Sequence, residues 1–118
     1  MSAIDDKYAA LGGPGGFLGP PVDEGAGSEE MPTSDGRGRC RDFQGGSIYW
    51  TLGNGAHEAH GAIRDKWASM GWERSPLRYP TSDEKNIVGG HGRISEFENG
   101  VILWTPERGA EARVGRFD

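Results

Sequence analysis

Two stretches of similar sequence decide the fold: residues 38–56 read GRCRDFQGGSIYWTLGNGA, and residues 92–110 read GRISEFENGVILWTPERGA. Nine of these 19 aligned pairs are identical. A second match precedes each copy, because residues 4–12 (IDDKYAALG) correspond to residues 63–71 (IRDKWASMG). Self-similarity of this kind is the sequence signature of a repeat architecture. The chain is therefore predicted to be a duplicated module.

A short helix is predicted to open each copy. Ile4, Tyr8 and Leu11 fall at positions i, i+4 and i+7, which places them on one face of a helix. Residues 63–70 repeat the same spacing. A helix of about nine residues is not stable in isolation. Each helix is therefore expected to pack its apolar face on the rest of the module.

A long loop and a small antiparallel sheet are predicted to follow each helix. The loops span residues 14–37 and 73–91. Residues 98–100 (ENG) contain Asn-Gly, a strong hairpin-turn signal, between the alternating segments 93–97 and 101–104. The other predicted strands are residues 40–43, 47–50, 56–59 and 110–113.

Together these elements predict an α+β fold of two tandem repeats. Repeat 1 covers residues 1–61 and repeat 2 covers residues 62–118, and each contains a short helix, a long loop and a small antiparallel hairpin or meander. A unit of this size has too few apolar side chains for a core of its own. Repeat modules also generally need about three copies before their end faces are covered. We therefore expect a homo-oligomer, most simply a two-fold dimer.

The composition excludes several function classes. The chain has 118 residues, and this length leaves no room for a multidomain enzyme. Of these residues, 21 are glycine and 7 are proline. No apolar run approaches the roughly 18 residues of a membrane helix. The net charge of −5 gives no basic surface for nucleic acid. Cys40 is a single cysteine, so no internal disulfide or zinc cluster is expected. We expect neither a metal nor another cofactor.

The first hairpin and the segments after it resemble a known family. Residues 43–50 (FQGGSIYW), 55–67 (GAHEAHGAIRDKW) and 71–84 (GWERSPLRYPTSDE) are similar to the LGFP repeat. This repeat is found in actinobacterial cell-envelope proteins, in mycoloyltransferases and in some other extracellular or fungal proteins. Residues 18–21 (LGPP) are close to the motif that names the family, whereas residues 77–80 (LRYP) have arginine in place of its glycine.

The resemblance implies a lectin-like, non-catalytic module that binds cell-wall or cell-surface polysaccharide, although a fold alone does not fix a function. It suggests a location in the cell wall or outside the cell. The start of the chain shows no signal peptide, and the sequence is compatible with the cytoplasm. The alternatives are a structural or protein-interaction module without glycan binding and a small hydrolase. Asp23-Glu24 and Asp83-Glu84 are sequence neighbours rather than opposed acids, which argues against a glycosidase. We expect that the chain is not an enzyme.

Aromatic residues are the first candidates for sugar contacts. Trp72 follows the glycine that ends the second helix, and Gly13 occupies its place in repeat 1. An unpaired tryptophan on a loop is a suitable stacking platform. Strand alternation places Tyr49 on the opposite face from Trp50, so Tyr49 is expected to be exposed to a sugar ring. Trp50 and its counterpart Trp104 are expected to pack in the core.

Polar residues complete the candidate set. His57 and His60 lack the i, i+4 helical spacing of a zinc protease, and we expect His57 to be a polar contact at a ligand groove. Arg39 and Arg93 begin the hairpins and have two interpretations. Either Asp23 and Asp83 cap turns and each arginine joins the preceding loop to the hairpin by a bidentate bond, or these planar polar groups face outward and bind sugar hydroxyls. The predicted carbohydrate-binding residues are Trp72, Tyr49, His57, Asp83, Arg39, Arg93 and Tyr79.

Overall fold

The computed structural model of the chain describes residues 2–23, 25, 28–87 and 89–115. Within these residues, each repeat contributes one helix, a short 3₁₀ turn and four strands. In repeat 1 the elements are α1 (Ala3–Ala10), β1 (Met31–Pro32), β2 (Gly38–Phe43), β3 (Gly46–Thr51) and β4 (Gly55–His60). In repeat 2 they are α2 (Gly61–Met70), β5 (Lys85–Asn86), β6 (Arg93–Phe97), β7 (Gly100–Thr105) and β8 (Gly109–Val114). The two 3₁₀ turns are Gly13–Gly15 and Trp72–Arg74.

Each repeat forms a four-stranded antiparallel sheet in which neighbouring strands follow one another along the chain. Sheet 1 has the order β1-β2-β3-β4, and sheet 2 has the order β5-β6-β7-β8. The two strands of each main hairpin pair without a bulge, so that Phe43 lies opposite Gly46 and Phe97 lies opposite Gly100. The predicted hairpins and third strands are present. Each sheet also has a two-residue first strand that the sequence analysis missed, because two residues carry no alternation.

The two helices begin in different ways. At α1, the Ser2 hydroxyl accepts from the Asp5 amide at 3.1 Å while the Asp5 carboxylate accepts from the Ser2 amide at 3.5 Å, which is a capping box. Helix α2 begins directly after β4 and ends at Gly71, whose φ of 115° is the left-handed conformation that glycine allows. Neither helix among the described residues is long and apolar enough to cross a membrane.

The two repeats place equivalent residues in their cores. In repeat 1 the buried cluster is Ile4, Leu18, Phe43 and Ile48. In repeat 2 the corresponding residues are Ile63, Leu77, Phe97 and Ile102, and all four are buried. Each set joins one helix residue, one loop residue and two strand residues. The predicted apolar helix faces are therefore used as expected, against the sheet of the same repeat.

Helix α2 is shared by both repeats. It packs on β7 and β8 of its own sheet and also on β3 and β4 of sheet 1. Its Trp67 is fully buried and meets the Tyr49 ring edge-on, with ring centroids 4.7 Å apart. Cys40, Tyr49 and Ala59 of sheet 1 thus belong to the same apolar cluster as the core of repeat 2. One apolar cluster therefore contains residues of both repeats, beside the separate cluster of Ile4, Leu18, Phe43 and Ile48.

The prediction that Trp50 and Trp104 are core residues is only partly correct. Both indoles pack against the apolar clusters, but each is half-buried and keeps part of its surface exposed. Trp50 lies opposite Arg39 on the neighbouring strand, and Trp104 lies opposite Arg93. The indoles therefore stand at the rim of each core, and the fully buried tryptophan is Trp67.

Polar side chains also join the repeats. Glu98, in the β6–β7 turn, accepts two hydrogen bonds from the Arg37 guanidinium, at 2.9 and 2.8 Å, and a third from Asn54 at 2.9 Å. The buried Glu58 of β4 accepts from the Glu84 amide at 2.9 Å. These contacts fix the second long loop and the second hairpin against sheet 1.

Candidate functional site

A groove of about 460 Å³ opens between the two repeats. One wall comes from the first three strands of sheet 1, and the other comes from the 3₁₀ turn that follows α2. Apolar side chains form much of its surface, and polar side chains stand among them. We call it the inter-repeat groove, and it is lined by Met31, Pro32, Thr33, Ser34, Cys40, Asp42, Tyr49, Gly71, Trp72, Glu73 and Arg74.

Trp72 is the main aromatic side chain of the inter-repeat groove. Its φ of 57° is unusual for a bulky residue and is a form of backbone strain that clusters at functional sites. The indole meets Trp67 edge-on at 5.3 Å and stacks at 6.1 Å from Tyr49, and the Arg64 guanidinium lies 4.9 Å from its ring centroid. Trp72 is therefore half-buried rather than a fully exposed loop residue, and the rest of its surface faces the groove.

Polar groups around Trp72 are held by hydrogen bonds. The buried Glu73 carboxylate accepts from both the amide and the hydroxyl of Ser34, at 2.9 and 2.7 Å. Arg74 donates to the Ser34 hydroxyl and carbonyl, at 2.8 Å each. Asp42 accepts from the Ser47 hydroxyl at 2.7 Å. The groove therefore presents carboxylates, a guanidinium and hydroxyls in fixed positions beside an indole.

The two titratable groups at the floor of the groove, the Cys40 thiol and the Tyr49 hydroxyl, are not nucleophiles near neutral pH. Burial raises the pKa of the Cys40 thiol to about 11, so the thiol is protonated at neutral pH and is a poor nucleophile. Burial likewise raises the pKa of the Tyr49 hydroxyl well above its usual range. Neither group supplies an anion for covalent chemistry near neutral pH.

The prediction that Tyr49 is exposed is wrong. Strand alternation correctly places it on the face opposite Trp50, but that face of sheet 1 is covered by α2 and by the second long loop. The Tyr49 side chain is therefore 7% exposed and reaches the groove only at its edge.

Tyr79 is also buried and does not line the inter-repeat groove. It is 1% exposed, its hydroxyl lies 2.6 Å from the Thr33 hydroxyl, and it donates to the Asp35 carboxylate. Burial, followed by the bond to Asp35, raises the pKa of Tyr79 above its usual range. The predicted sugar contact is in fact a connection between the second long loop and sheet 1.

His57 and Asp83 lie together in a second inter-repeat contact. Nδ1 of His57 is 3.2 Å from the Asp83 carboxylate, and Nε2 is 2.7 Å from the Asn54 carbonyl. Asp83 also pairs with Lys7 of α1. Burial acts to raise the pKa of Asp83, but the bonds from His57 and Lys7 outweigh it and lower this pKa to about 2. The structure assigns both residues to joining the repeats and not to the groove.

Arg39 and Arg93 both make the loop-to-hairpin contact of the first interpretation. Nε of Arg39 donates to the Glu30 carboxylate at 2.7 Å, and Nε of Arg93 donates to the Glu84 carboxylate at 2.8 Å. Each arginine thus joins the preceding loop to the hairpin, with a glutamate as the acceptor. Of the two acidic pairs, Asp23 lies in a bend and its neighbour Glu24 falls outside the described residues.

Several groove residues differ between the two copies, both those that the sequence analysis named, Trp72 and Tyr49, and one that it missed, Glu73. Trp72 and Glu73 correspond to Gly13 and Pro14 in repeat 1, and Tyr49 corresponds to Leu103 in repeat 2. Positions that differ between the copies therefore line the interface between them, whereas the shared positions build each core. Glu73 could have been found as a polar position that differs between the copies, whereas Asp42 corresponds to the equally acidic Glu96 and carries no such signal.

Comparison with protein families supports the duplication. The family model of the LGFP repeat matches residues 18–75 and again residues 77–117. A comparison with curated proteins found no match. The two matched segments cover most of the chain, and each contains one of the four-stranded sheets. The chain therefore belongs to the LGFP repeat family, of which it carries two repeats.

Proposed function

We propose that the chain is a non-catalytic, lectin-like module that binds polysaccharide of a cell wall or cell surface through the inter-repeat groove. The observation that carries this proposal is the partly exposed Trp72 beside Asp42, Glu73 and Arg74. A sugar ring has an apolar face that stacks on an indole and an equatorial belt of hydroxyls that bond to carboxylates and guanidinium groups. The groove offers both kinds of contact in one place.

A glycan array tests the proposal directly. Wild-type chain is expected to bind a limited set of polysaccharides with dissociation constants of roughly micromolar to millimolar, because each sugar hydroxyl replaces a bond to water with little net gain. Trp72→Ala should weaken binding by at least about tenfold, through the lost stacking surface. Leu52→Ala, at an apolar residue that is 87% exposed and outside the groove lining, is the matched control and should bind as wild type does.

Trp72 also packs on the core, so a second variant separates binding from folding. Asp42→Asn keeps the size of the side chain and is expected to weaken binding by about fivefold, the loss expected for a charged hydrogen bond reduced to a neutral one. Thermal unfolding of each variant is recorded alongside. Binding unchanged in both Trp72→Ala and Asp42→Asn would refute the groove as the site.

Glycan binding is expected to be independent of divalent metal, because stacking and side-chain hydrogen bonds account for the contacts. Titration of the polysaccharide that binds best, with and without EDTA, checks this expectation. An affinity lost on chelation would contradict it. Release of new reducing ends from the same polysaccharide during incubation would show instead that the chain is a hydrolase.

A further inference from the structure

The same small pocket occurs in both repeats, away from the inter-repeat groove. It has a volume of about 140 Å³ in repeat 1 and about 280 Å³ in repeat 2. We call these rim pocket 1 and rim pocket 2. Five lining positions are equivalent in the two copies: Ala3 and Ala62, Ile4 and Ile63, Glu30 and Glu84, Arg39 and Arg93, Trp50 and Trp104.

The charged side chains of the two rim pockets have matching geometry. Nε of Arg39 donates to Glu30 at 2.7 Å, and a second guanidinium nitrogen lies 3.4 Å from the Glu30 carbonyl. For Arg93 and Glu84 the same two distances are 2.8 and 3.5 Å. Two bonds to one residue fix the plane of each guanidinium group. The pairs differ in their other bonds, because Glu30 also accepts from the Ser2 hydroxyl at 2.5 Å and Arg93 also donates to the Asn86 side chain at 2.7 Å. Both pockets thus contain a preformed, planar arginine–glutamate pair.

An indole stands directly beside each pair. Arg39 is the cross-strand partner of Trp50, and Arg93 is the cross-strand partner of Trp104. The arginine side chains are 42% and 36% exposed, and both indoles are half-buried. The paired carboxylates are less accessible, because the Glu30 side chain is 21% exposed and that of Glu84 is 8% exposed. Each rim pocket therefore presents part of a flat apolar ring next to an accessible guanidinium group.

The sequences of the two repeats differ more on one face of their main hairpins than on the other. On the face that joins the repeats, Cys40 and Tyr49 correspond to Ile94 and Leu103. At the rim pockets, by contrast, the arginine, the tryptophan and the glutamate are identical in both copies. A half-exposed indole contributes less to stability than a buried one. Packing alone therefore gives a weak reason for keeping a tryptophan at both rims.

We propose that the rim pockets are two equivalent sites that each bind a single uncharged sugar ring, in addition to the inter-repeat groove. Each pairs one carboxylate with one guanidinium, so the charge of the pair balances. Rim pocket 2 also has His60, which lies 2.6 Å from the carboxylate of the buried Glu58. Both volumes lie below the roughly 300–1,000 Å³ of sites for larger ligands, which suits one ring. The proposal rests on the proposed glycan-binding function and gives it three contact points on one molecule.

Indole N–H signals in a proton–nitrogen correlation spectrum test the proposal, because each of the four tryptophans gives its own signal. Trp72 reports on the inter-repeat groove, whereas Trp50 and Trp104 report on the rim pockets. The probes are methyl β-galactoside, methyl β-glucoside and methyl α-mannoside. With at least one of them, the Trp50 and Trp104 signals should shift together, with similar dissociation constants. The fully buried Trp67 should not shift.

Each rim pocket serves as the control for the other. Arg39→Lys keeps the charge but loses the planar donors, and it should weaken the Trp50 response about tenfold while the Trp104 response is unchanged. Arg93→Lys should do the reverse. The backbone amide signals in the same spectrum report whether each variant is folded.

The outcomes separate this inference from the proposed function. If the glycosides or the array polysaccharides shift only Trp72, glycan binding stands and the rim pockets are refuted. If the rim responses appear but neither lysine variant alters them, the arginine–glutamate pairs are not the contacts and the proposal also fails. If no tryptophan responds to any glycan, the proposed function and this inference both fall.

Discussion

At the scale of single residues, the four tryptophans have different surroundings. The sequence gives three of them, Trp50, Trp67 and Trp104, an aromatic counterpart in the other repeat. Trp67 is fully buried, and its Nε1 donates to the Arg78 carbonyl at 3.1 Å. It contacts aromatic rings from both repeats, including Tyr49 and Phe97. Trp104 has a buried side and an exposed side. The central packing residue is therefore a helix residue, and strand alternation could not identify it.

Replacing Trp67 should be the most costly tryptophan substitution. Trp67→Ala is expected to lower the free energy of unfolding by about 3–5 kcal/mol, because the void would open in a core that both repeats share. Trp104→Ala should cost about half as much, since part of that indole is already in water. Urea unfolding followed by circular dichroism measures both. A larger loss for Trp104→Ala would contradict the assignment of the core.

At the scale of elements, each main hairpin has a glycine, at or just before the start of its first strand, that lies very close to the backbone of the second strand. A Cβ at Gly38 would lie 2.1 Å from the Trp50 carbonyl oxygen, and one at Gly92 would lie 2.2 Å from the Trp104 carbonyl oxygen. Backbone atoms cannot move away as a flexible side chain could. The identity of these glycines in both copies therefore has a steric cause.

Gly92→Ala is expected to destabilise the fold by about 2–3 kcal/mol, through overpacking against the backbone of β7. Gly53→Ala is the matched control, because a Cβ at Gly53 meets nothing within 4 Å. We expect that control to change stability by no more than about 0.5 kcal/mol. Thermal and urea unfolding of the two variants make the comparison. Equal effects would show that the close approach at Gly92 does not constrain the hairpin.

The sequence predicted elements well and their surroundings poorly. The spacing of Ile4, Tyr8 and Leu11 was sufficient for a helix, and Asn99 with Gly100 for a hairpin, because both signals are local. The burial of Tyr49 was not predictable in the same way. Alternation states which face a side chain occupies, whereas burial depends on what packs against that face, here α2 and the second loop. The same limit explains why Tyr79 was mistaken for a surface contact.

At the scale of the whole molecule, carboxylates of repeat 2 bond to cations and amides of repeat 1. The bonds from Arg37, together with that from Asn54, outweigh burial and lower the pKa of Glu98 to about 2. Asp83 behaves similarly through His57 and Lys7. Since both pKa values are lower in the folded chain, this stabilisation is complete above the unfolded pKa values and is lost as pH falls toward 2.

The free energy of unfolding should therefore fall between about pH 4.5 and pH 2, with Glu98 contributing about 1–2 kcal/mol after allowance for solvent screening. Glu98→Gln should be less stable than wild type at neutral pH and should show a shallower acid dependence. Glu96→Gln is the control, since that side chain is 47% exposed and pairs with Lys85 across the surface of its own sheet. Urea titrations at several pH values compare the three chains. Parallel curves for Glu98→Gln and wild type would contradict this assignment.

The expected homo-dimer stays a prediction at this scale. Helix α2 packs on both sheets, whereas α1 packs on β3 and β4 of its own repeat. A second copy of the chain could supply α1 with the outer contacts that α2 receives within the molecule. Sedimentation equilibrium at micromolar concentration should give about twice the chain mass of 12.7 kDa. A monomer that retains full thermal stability would contradict the dimer.

The direct passage from β4 into α2, with no connecting residues between His60 and Gly61, has a consequence for motion. Tandem modules on a linker reorient independently, since a linker absorbs rotation at little cost. In this chain the last strand of one repeat continues into the helix that both sheets hold. The pair should therefore tumble in solution as one rigid particle, with a single rotational diffusion tensor for amides of both sheets. A polysaccharide bound at one of the proposed sites would then lie at a fixed angle and distance from the other sites.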